Sequence, residues 1–181
     1  MITIRKFTLE DIETTFTYAS DFENTHYMLM VPFATREETK LFLCKCLEEY
    51  VCKQPEHLSF AVVLDGVHIG EVFAYLSEKE ADIGWLIDKR YWGNGYATEA
   101  AKLLVKYLKE TIHPKEIVAY CDARNIPSQK VMKHIGMEYV GSNGIRTYEK
   151  AVSEWEEVKY RLKYNPEEKY EYNNKKNDCR R

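Results

Sequence analysis

No run of the chain reaches the ~18 consecutive apolar residues that a helical membrane span needs. The opening Met1-Ile2-Thr3-Ile4-Arg5-Lys6 lacks the apolar core of a secretory signal. Basic residues are not in excess. The 26 Lys and Arg face 29 Asp and Glu, a formal charge of −3, which argues against a dedicated nucleic-acid binder while leaving room for a local basic patch. None of the five cysteines forms a Cys-x-x-Cys pair. Cys44 and Cys46 lie two apart in an expected helix, so they point in different directions and make a poor metal pair. With Cys52, Cys121 and Cys179 they read as free thiols of a reducing compartment, and no metal is expected. There is no Gly-Lys-Ser/Thr run of a P-loop and no internal repeat. These absences lead to the expectation of a cytoplasmic protein, and 181 residues suffice for one domain around one core.

What is present centres on Ala81 to Lys109. Ala81–Ile87 reads as a buried strand, followed by the turn Asp88-Lys89-Arg90-Tyr91-Trp92 and the glycine pair Gly93-Asn94-Gly95. A helix opens at about Tyr96, because Ala97, Ala101, Leu104 and Leu108 share one helical face. Glycines at the mouth of a helix bring forward N–H groups that have no intrahelical partner, and the helix dipole adds partial positive charge. Such an end is an anion site, most often for phosphate. A tight left-handed turn between strand and helix would need the same glycines. Arg90, the flanking aromatics and Gly84 inside the strand favour the anion site; a strand glycine often marks a bulge or a close approach.

Upstream, Ile2-Thr3-Ile4 into Phe7 suggests a first strand, and Thr8-x-x-Asp11 a capped helix to about Ser20. Asp21 to Ala34 is irregular and rich in aromatics and methionine. Thr35-x-x-Glu38 caps a second helix with the stripe Phe42, Leu43, Cys46, Leu47 and Tyr50. Phe60–Leu64 and Val67–Leu76 read as strands joined by the hairpin signal Asp65-Gly66. An antiparallel meander therefore leads into the central strand. Ile117–Cys121 should lie parallel to it, through a right-handed crossover. Asn125 can cap a further helix with Pro127 in its first turn and Gly136 as its stop. Met137–Val140 and Trp155–Leu162 read as strands, with Val158, Tyr160 and Leu162 on one face; Ser142–Ser153 is ambiguous. Residues 165–181 are polar, without a stripe, and are expected to be a flexible tail after a single domain spanning 1–164.

The dinucleotide fingerprint fits poorly, since Thr98 occupies the place of its third glycine. Arg-x-x-Gly-x-Gly/Ala fits well, as Arg90-Tyr91-Trp92-Gly93-Asn94-Gly95. This resembles the acetyl-CoA signature of the GCN5-related N-acetyltransferases. The longer run from Ile83-Gly84-Trp85 to Thr98-Glu99-Ala100, with Asn125-Ile126-Pro127-Ser128 and Gly136-Met137, resembles the branch that acetylates ribosomal-protein N-termini.

The resemblance implies an α/β fold: a mixed sheet of about seven strands, antiparallel in its N-terminal part, with a splayed parallel central pair and about four flanking helices. It implies acetyl-CoA as co-substrate, with pyrophosphate on the N–H groups of Gly93, Asn94, Gly95, Tyr96, Ala97 and Thr98 and charge from Arg90. Lys102 is a candidate for the 3′-phosphate. Pantetheine would pair with the backbone of Trp85, Leu86 and Ile87, with the splay starting from a bulge at Gly84, and Asn125 and Ser128 are implied as further cofactor-binding residues. An amine would attack the thioester directly, within a ternary complex. Asp82 is the leading candidate base, against the alternative of a strand-end carboxylate in solvent or an ion pair; Glu71 is second and Tyr120 third. Many relatives carry a tyrosine four residues after the Ser128 position as general acid. Here that residue is Met132, which leaves Ser128 to protonate or solvate the thiolate or merely to sit in a helix first turn. Asp21–Ala34 would wall the acceptor cleft as well as pack on the core. The partner is an amine, either a protein N-terminus or a small molecule, and the chain a monomer or homodimer. A non-catalytic acyl-CoA binder on the same fold is the alternative.

Overall fold

Asp65 and Gly66 both adopt positive φ (47° and 87°), as a two-residue turn of type I′ demands. They fold β2 (His57–Leu64) back onto β3 (Val67–Leu76). Around this hairpin the N-terminal half of the sheet is built in the computed structural model, which describes residues 1–150 and 153–163. The expected tail at 165–181 lies outside the described residues. β1 (Ile2–Arg5) pairs antiparallel with β2, and β4 (Glu80–Ile87) antiparallel with β3.

Period-two alternation sorts these strands into two faces. Leu58, Phe60, Val62, Val72, Ala74, Ala81, Ile83 and Ile87 meet Ala100, Leu104 and Val105 of α3 (Tyr96–Tyr107), along with Leu108 beyond its end. Each large side chain buried there contributes about 1.5–3 kcal/mol relative to exposure. The other face is covered by α1 (Ile12–Ala19) and α2 (Arg36–Glu49). Thr35 caps α2 by accepting the Glu38 N–H (3.2 Å), and Leu43 and Cys46 of its stripe pack on Phe7 and Ala61. The Thr8 N–H donates to the Asp11 carboxylate (2.9 Å) as expected, although a short 3-10 turn (Leu9–Asp11) precedes α1.

After α3 the chain passes a π turn (Leu108–Ile112) and His113 at φ +56°, and enters β5 (Glu116–Asp122), parallel to β4. α4 (Ile126–His134) follows, then β6 (Met137–Tyr148) and β7 (Ser153–Leu162). Among the described residues seven strands form one sheet, in the order β1-β2-β3-β4-β5-β7-β6. β7 therefore slots between β5 and β6, burying Val158, Tyr160 and Leu162. The ambiguous stretch after Ser142 is strand as far as Tyr148. Its pattern is broken because the register slips between Tyr139 and Gly141 and again between Ser142 and Ile145.

One expectation is corrected. No bulge interrupts β4 at Gly84, and the β3–β4 register runs unbroken from Gly70–Ile87 to Leu76–Ala81. The glycine serves a different purpose: a Cβ there would stand 2.3 Å from the ring of Phe73, which lies across the strand at that point. No helix among the described residues is long and apolar enough to cross a membrane.

Candidate active site

β4 and β5 pair only at Glu80–Glu116, Ala81–Ile117 and Asp82–Val118. Beyond Asp82 they part, while each keeps its outer partner, β3 on one side and β7 on the other. The result is a fork with Asp82 at its base. Its two open arms carry backbone groups that find no partner across the gap. Alternation tells which groups these are. Asp88 N–H bonds to Ile69 O (2.9 Å), so the backbones of Asp88, Leu86 and Gly84 turn toward β3. Those of Trp85 and Ile87 turn into the fork, and the Ile87 carbonyl there accepts the indole N–H of Trp92 (2.6 Å). Of the three residues expected to offer backbone, Leu86 instead offers a side chain to the opposite face, where it packs with Tyr18 and Ala19.

Each arm of the fork ends at the N-terminus of a helix, the placement that favours ligands outside the carboxyl ends of parallel strands. At the end of β4, Gly93 and Gly95 take φ +80° and +81°, and nothing lies within 4 Å of where a Cβ would stand on either. Gly95 is the N-cap of α3 and supplies no side chain; the first helical bond is Glu99 N–H to Gly95 O (3.1 Å). Tyr96, Ala97 and Thr98 form the first turn, whose N–H groups face outward with the positive end of the helix dipole. Asn94 braces the loop through the Tyr91 and Trp92 carbonyls (3.2 and 3.0 Å). Arg90 stands beside this loop with its guanidinium paired to the buried Asp88 carboxylate (Nη2–Oδ2 2.5 Å), so its charge is partly neutralised. Lys102 lies exposed on α3, a little more than a turn beyond Thr98.

At the end of β5, α4 starts differently. The Asn125 side chain accepts the Ser128 N–H (3.1 Å), closing that N-terminus with a local cap, and Pro127 sits in the first turn. Ser128 is half-buried there. Met132 is 1% exposed within the core, so it offers nothing to a leaving group.

Of the candidate bases, Asp82 is half-buried at the foot of the fork. Burial first, then the Glu80 charge, raise its carboxyl to about 7, while Arg146 and Lys159 pull the other way. Glu71 is on β3, paired with Leu86 and only 5% exposed; burial raises it to about 8, and its Oε2 has no protein partner. It stands four residues along β3 from Tyr75, the partner of Asp82, or about 13 Å away at ~3.3 Å per residue. Tyr120 points its hydroxyl to Glu80 (3.0 Å), which also receives Lys159 (3.2 Å).

The segment at 21–34 packs on the core as expected, with Met28, Met30 and Phe33 against Tyr18, Ala19 and Leu86. Lys89 ties one end through Asp21 (2.7 Å) and Glu23 (2.8 Å). At the other end Arg146 donates to Tyr27 O (3.2 Å), and Lys150 to the carbonyls of Thr25, Met28 (2.5 Å) and Met30 (3.3 Å). Burial, then the Arg146 charge, lower the Lys150 ammonium to about 8. Arg146, Lys150, Lys159 and Glu80 are missed by sequence reasoning. Glu80 is in β4 itself, whereas Lys159 and Arg146 meet the site through β5–β7 and β6–β7 pairing, for which the chain carries no local signal.

A parallel pair that opens into a fork, with a bare helix N-terminus at its mouth, leaves room for an extended ligand that carries phosphate at one end. The chain belongs to the GNAT acetyltransferases: the family model described as acetyltransferase (GNAT) domain matches residues 1–138. It is 35% identical over 138 residues to the uncharacterized N-acetyltransferase YnaD of Bacillus subtilis (strain 168), across 76% of this chain and 79% of that one. The structure of a GNAT-family acetyltransferase from Bacillus anthracis matches with a TM-score of 0.76 at 30% identity, over 89% of this chain and 93% of that chain. RimL, a ribosomal alpha-N-protein acetyltransferase solved with coenzyme A, matches at TM-score 0.74 and 12% identity, over 89% of this chain and 94% of its own, a likeness of fold. The protein is thus an acetyl-CoA-dependent N-acetyltransferase.

Proposed function

We propose that the enzyme moves the acetyl group of acetyl-CoA to a primary amine, by direct attack within a ternary complex and with Asp82 as the base. The observation that carries the reading is the position of Asp82, the last residue paired across the fork and a half-buried carboxyl raised to about 7. A general base works best with a pKa near the operating pH.

The residues present fit the donor. The open space beside Gly93 and Gly95 and the free N–H groups of Tyr96–Thr98 suit a pyrophosphate. Arg90 adds the charge that Asp88 leaves it. The fork-facing backbone of Trp85 and the N–H of Ile87 suit the amides of a pantetheine arm. The donor supplies a thioester, whose carbonyl carbon is the electrophile. Trp85 offers the deepest of these open N–H groups, and a hydrogen bond from it to the thioester oxygen as charge develops would contribute about 3 kcal/mol. The amine nitrogen bonds to the carbonyl carbon, its proton passes to Asp82, directly or through water, and the carbon–sulfur bond breaks. The electron pair leaves on sulfur. A thiolate with a pKa near ~8.5 needs little acid help, in keeping with Met132 at the family's tyrosine position and the Ser128 hydroxyl as the nearby proton source.

The reading puts the protein in the cytoplasm, a compartment that suits the free thiols of Cys44, Cys46, Cys52 and Cys121. The deciding experiment measures thiol release from acetyl-CoA against a panel of primary amines. Tight acetyl-CoA binding with no turnover on any amine would favour the non-catalytic acyl-CoA binder.

A further inference from the structure

Asp82 has an unusual neighbourhood, on the sheet face that α1 and α2 cover but with its cross-strand partner Tyr75 exposed. Its cross-strand partner is Tyr75, so the two side chains stand side by side. Tyr75 is 54% exposed, yet it is not loose: its ring stacks on His57 (centroids 4.5 Å, planes 17° apart) and meets the edge of Phe73 (5.6 Å, 69°). Phe73 in turn lies over Gly84, the next β4 residue on that face, where any Cβ would collide with its ring. Three rings of β2 and β3 thus form a continuous shelf that ends at Asp82. On the far side of the fork stands a fourth ring, Tyr120, tethered to Glu80.

The charges around the shelf are matched in a telling way. Arg146 is paired with Glu157 (2.8 Å), and Lys159 with Glu80 (3.2 Å). Asp82 has no such cation of its own among the described residues. His57, the ring beneath Tyr75, is held toward its neutral form by burial, with Glu49 opposing, so it adds no positive charge at neutral pH. The shelf is therefore aromatic, flat and bordered by a carboxyl that has no ion pair of its own among the described residues. Ring faces carry a negative quadrupole, so they attract ammonium groups and the carbons bonded to them. An acceptor with its own carboxylate would meet Asp82 with like charge.

We infer that the Phe73–Tyr75–His57 shelf selects the acceptor: a small primary amine with an aromatic or apolar body and no carboxylate, laid on the rings with its nitrogen at Asp82. This rests on the acetyl-transfer reading above and specifies its second substrate. Tyr75 is a specificity residue, whereas Asp82 acts on the proton. The two roles separate in kinetics, because ring contacts made equally in ground and transition states alter KM and leave kcat largely unchanged.

The test follows thiol release with phenethylamine and with 4-aminobutyrate, which has a similar reach but carries a carboxylate. Expected are a KM for phenethylamine at least about tenfold below that for 4-aminobutyrate, and a rise of about tenfold in that KM in Tyr75→Ala. In that variant kcat should stay within about twofold and the KM for acetyl-CoA should not move. Tyr75→Phe, which keeps the ring, should restore the lower KM. If wild type acetylates phenethylamine and Tyr75→Ala leaves its KM unchanged, the shelf proposal falls while acetyl transfer stands. A preference for 4-aminobutyrate overturns it equally. Absence of turnover and of calorimetric binding with phenethylamine, in protein that binds acetyl-CoA, also overturns the shelf as the acceptor site. Protein that fails to bind acetyl-CoA would sink the acetyl-transfer reading itself.

Discussion

Asp82 and Glu71 stand on the same face of the same sheet, one on β4 and one on β3, and burial lifts both carboxyls, to about 7 and about 8. Their surroundings differ in what can reach them. Asp82 is at the foot of a fork that opens on two helix N-termini, with rings and paired cations beside it. Glu71 is sealed beneath α1, next to Leu86 and within electrostatic reach of Tyr18 and Cys46. A raised pKa alone would rank Glu71 first. Position relative to the fork reverses that order, because a base must touch the proton it takes. Perturbation marks a candidate, and access decides between candidates.

The comparison breaks most sharply in turnover. Asp82→Asn keeps size and hydrogen bonding but removes basicity, and should lower kcat by roughly two to four orders of magnitude with acetyl-CoA affinity unchanged. In the wild type, kcat/KM for the amine should climb as pH rises through about 7, since only the Asp82 anion accepts a proton. Raising the pH should return part of the mutant's loss by freeing the amine. Glu71→Gln, assayed alongside, should keep most of the activity; the reverse pattern would hand the role of base to Glu71.

Next in size is the donor side. Gly95→Val forces a β-branched residue to φ +81° and brings its side chain to the bare end of α3. Acetyl-CoA affinity should fall by at least about a hundredfold, or ~2.7 kcal/mol, in protein whose circular dichroism is native. Calorimetry with unchanged affinity would remove the anion site from this loop.

Glu71 should declare itself in stability rather than in catalysis. Its folded pKa is raised, so between the ordinary 4.5 and about 8 the folded state keeps a proton that the unfolded chain releases. Stability is therefore full below that window and declines as pH rises through it. Glu71→Gln removes the penalty and should make the protein more stable than wild type at pH 9, by up to about 5 kcal/mol, with little gain at pH 4. Urea unfolding at the two pH values reads this directly, and equal gains would show that Glu71 is not the titrating group.

The smallest effect belongs to Arg90. Because its guanidinium is exposed and already paired with Asp88, Arg90→Ala should weaken acetyl-CoA binding by less than about tenfold, and by less again in high salt. A hundredfold loss would mean that the pair opens on binding and that the phosphate takes the whole charge.

Much of the fold is legible residue by residue. The meander, the parallel crossover, the capped starts of α2 and α4 and the glycine-started α3 all follow from short motifs, and they occur close to where the chain places them, although β2 starts three residues before the expected Phe60, at His57. The reading stops where partners are far apart. Gly84 looks like a bulge until Phe73 is seen across the strand; Arg90 looks free until Asp88 is seen beneath it. β6 looks ambiguous because its register slips twice against β7.

By itself the sequence determined the features that depend on one residue's own backbone. Positive φ at Asp65, Gly66, Gly93 and Gly95, the side-chain caps of Thr35 and Asn125 and the bare first turn of α3 are all local. Tertiary structure alone decided where β4 and β5 part, that β7 lies beside β5, and which carboxylate stands in the fork and which is sealed. It also drew His57, Phe73 and Tyr75 into one shelf and closed Lys150 on three carbonyls of the 21–34 segment. The reason is physical: φ, ψ and capping are set within a few residues, whereas burial, pairing and the pKa values they shift exist only once distant strands have met.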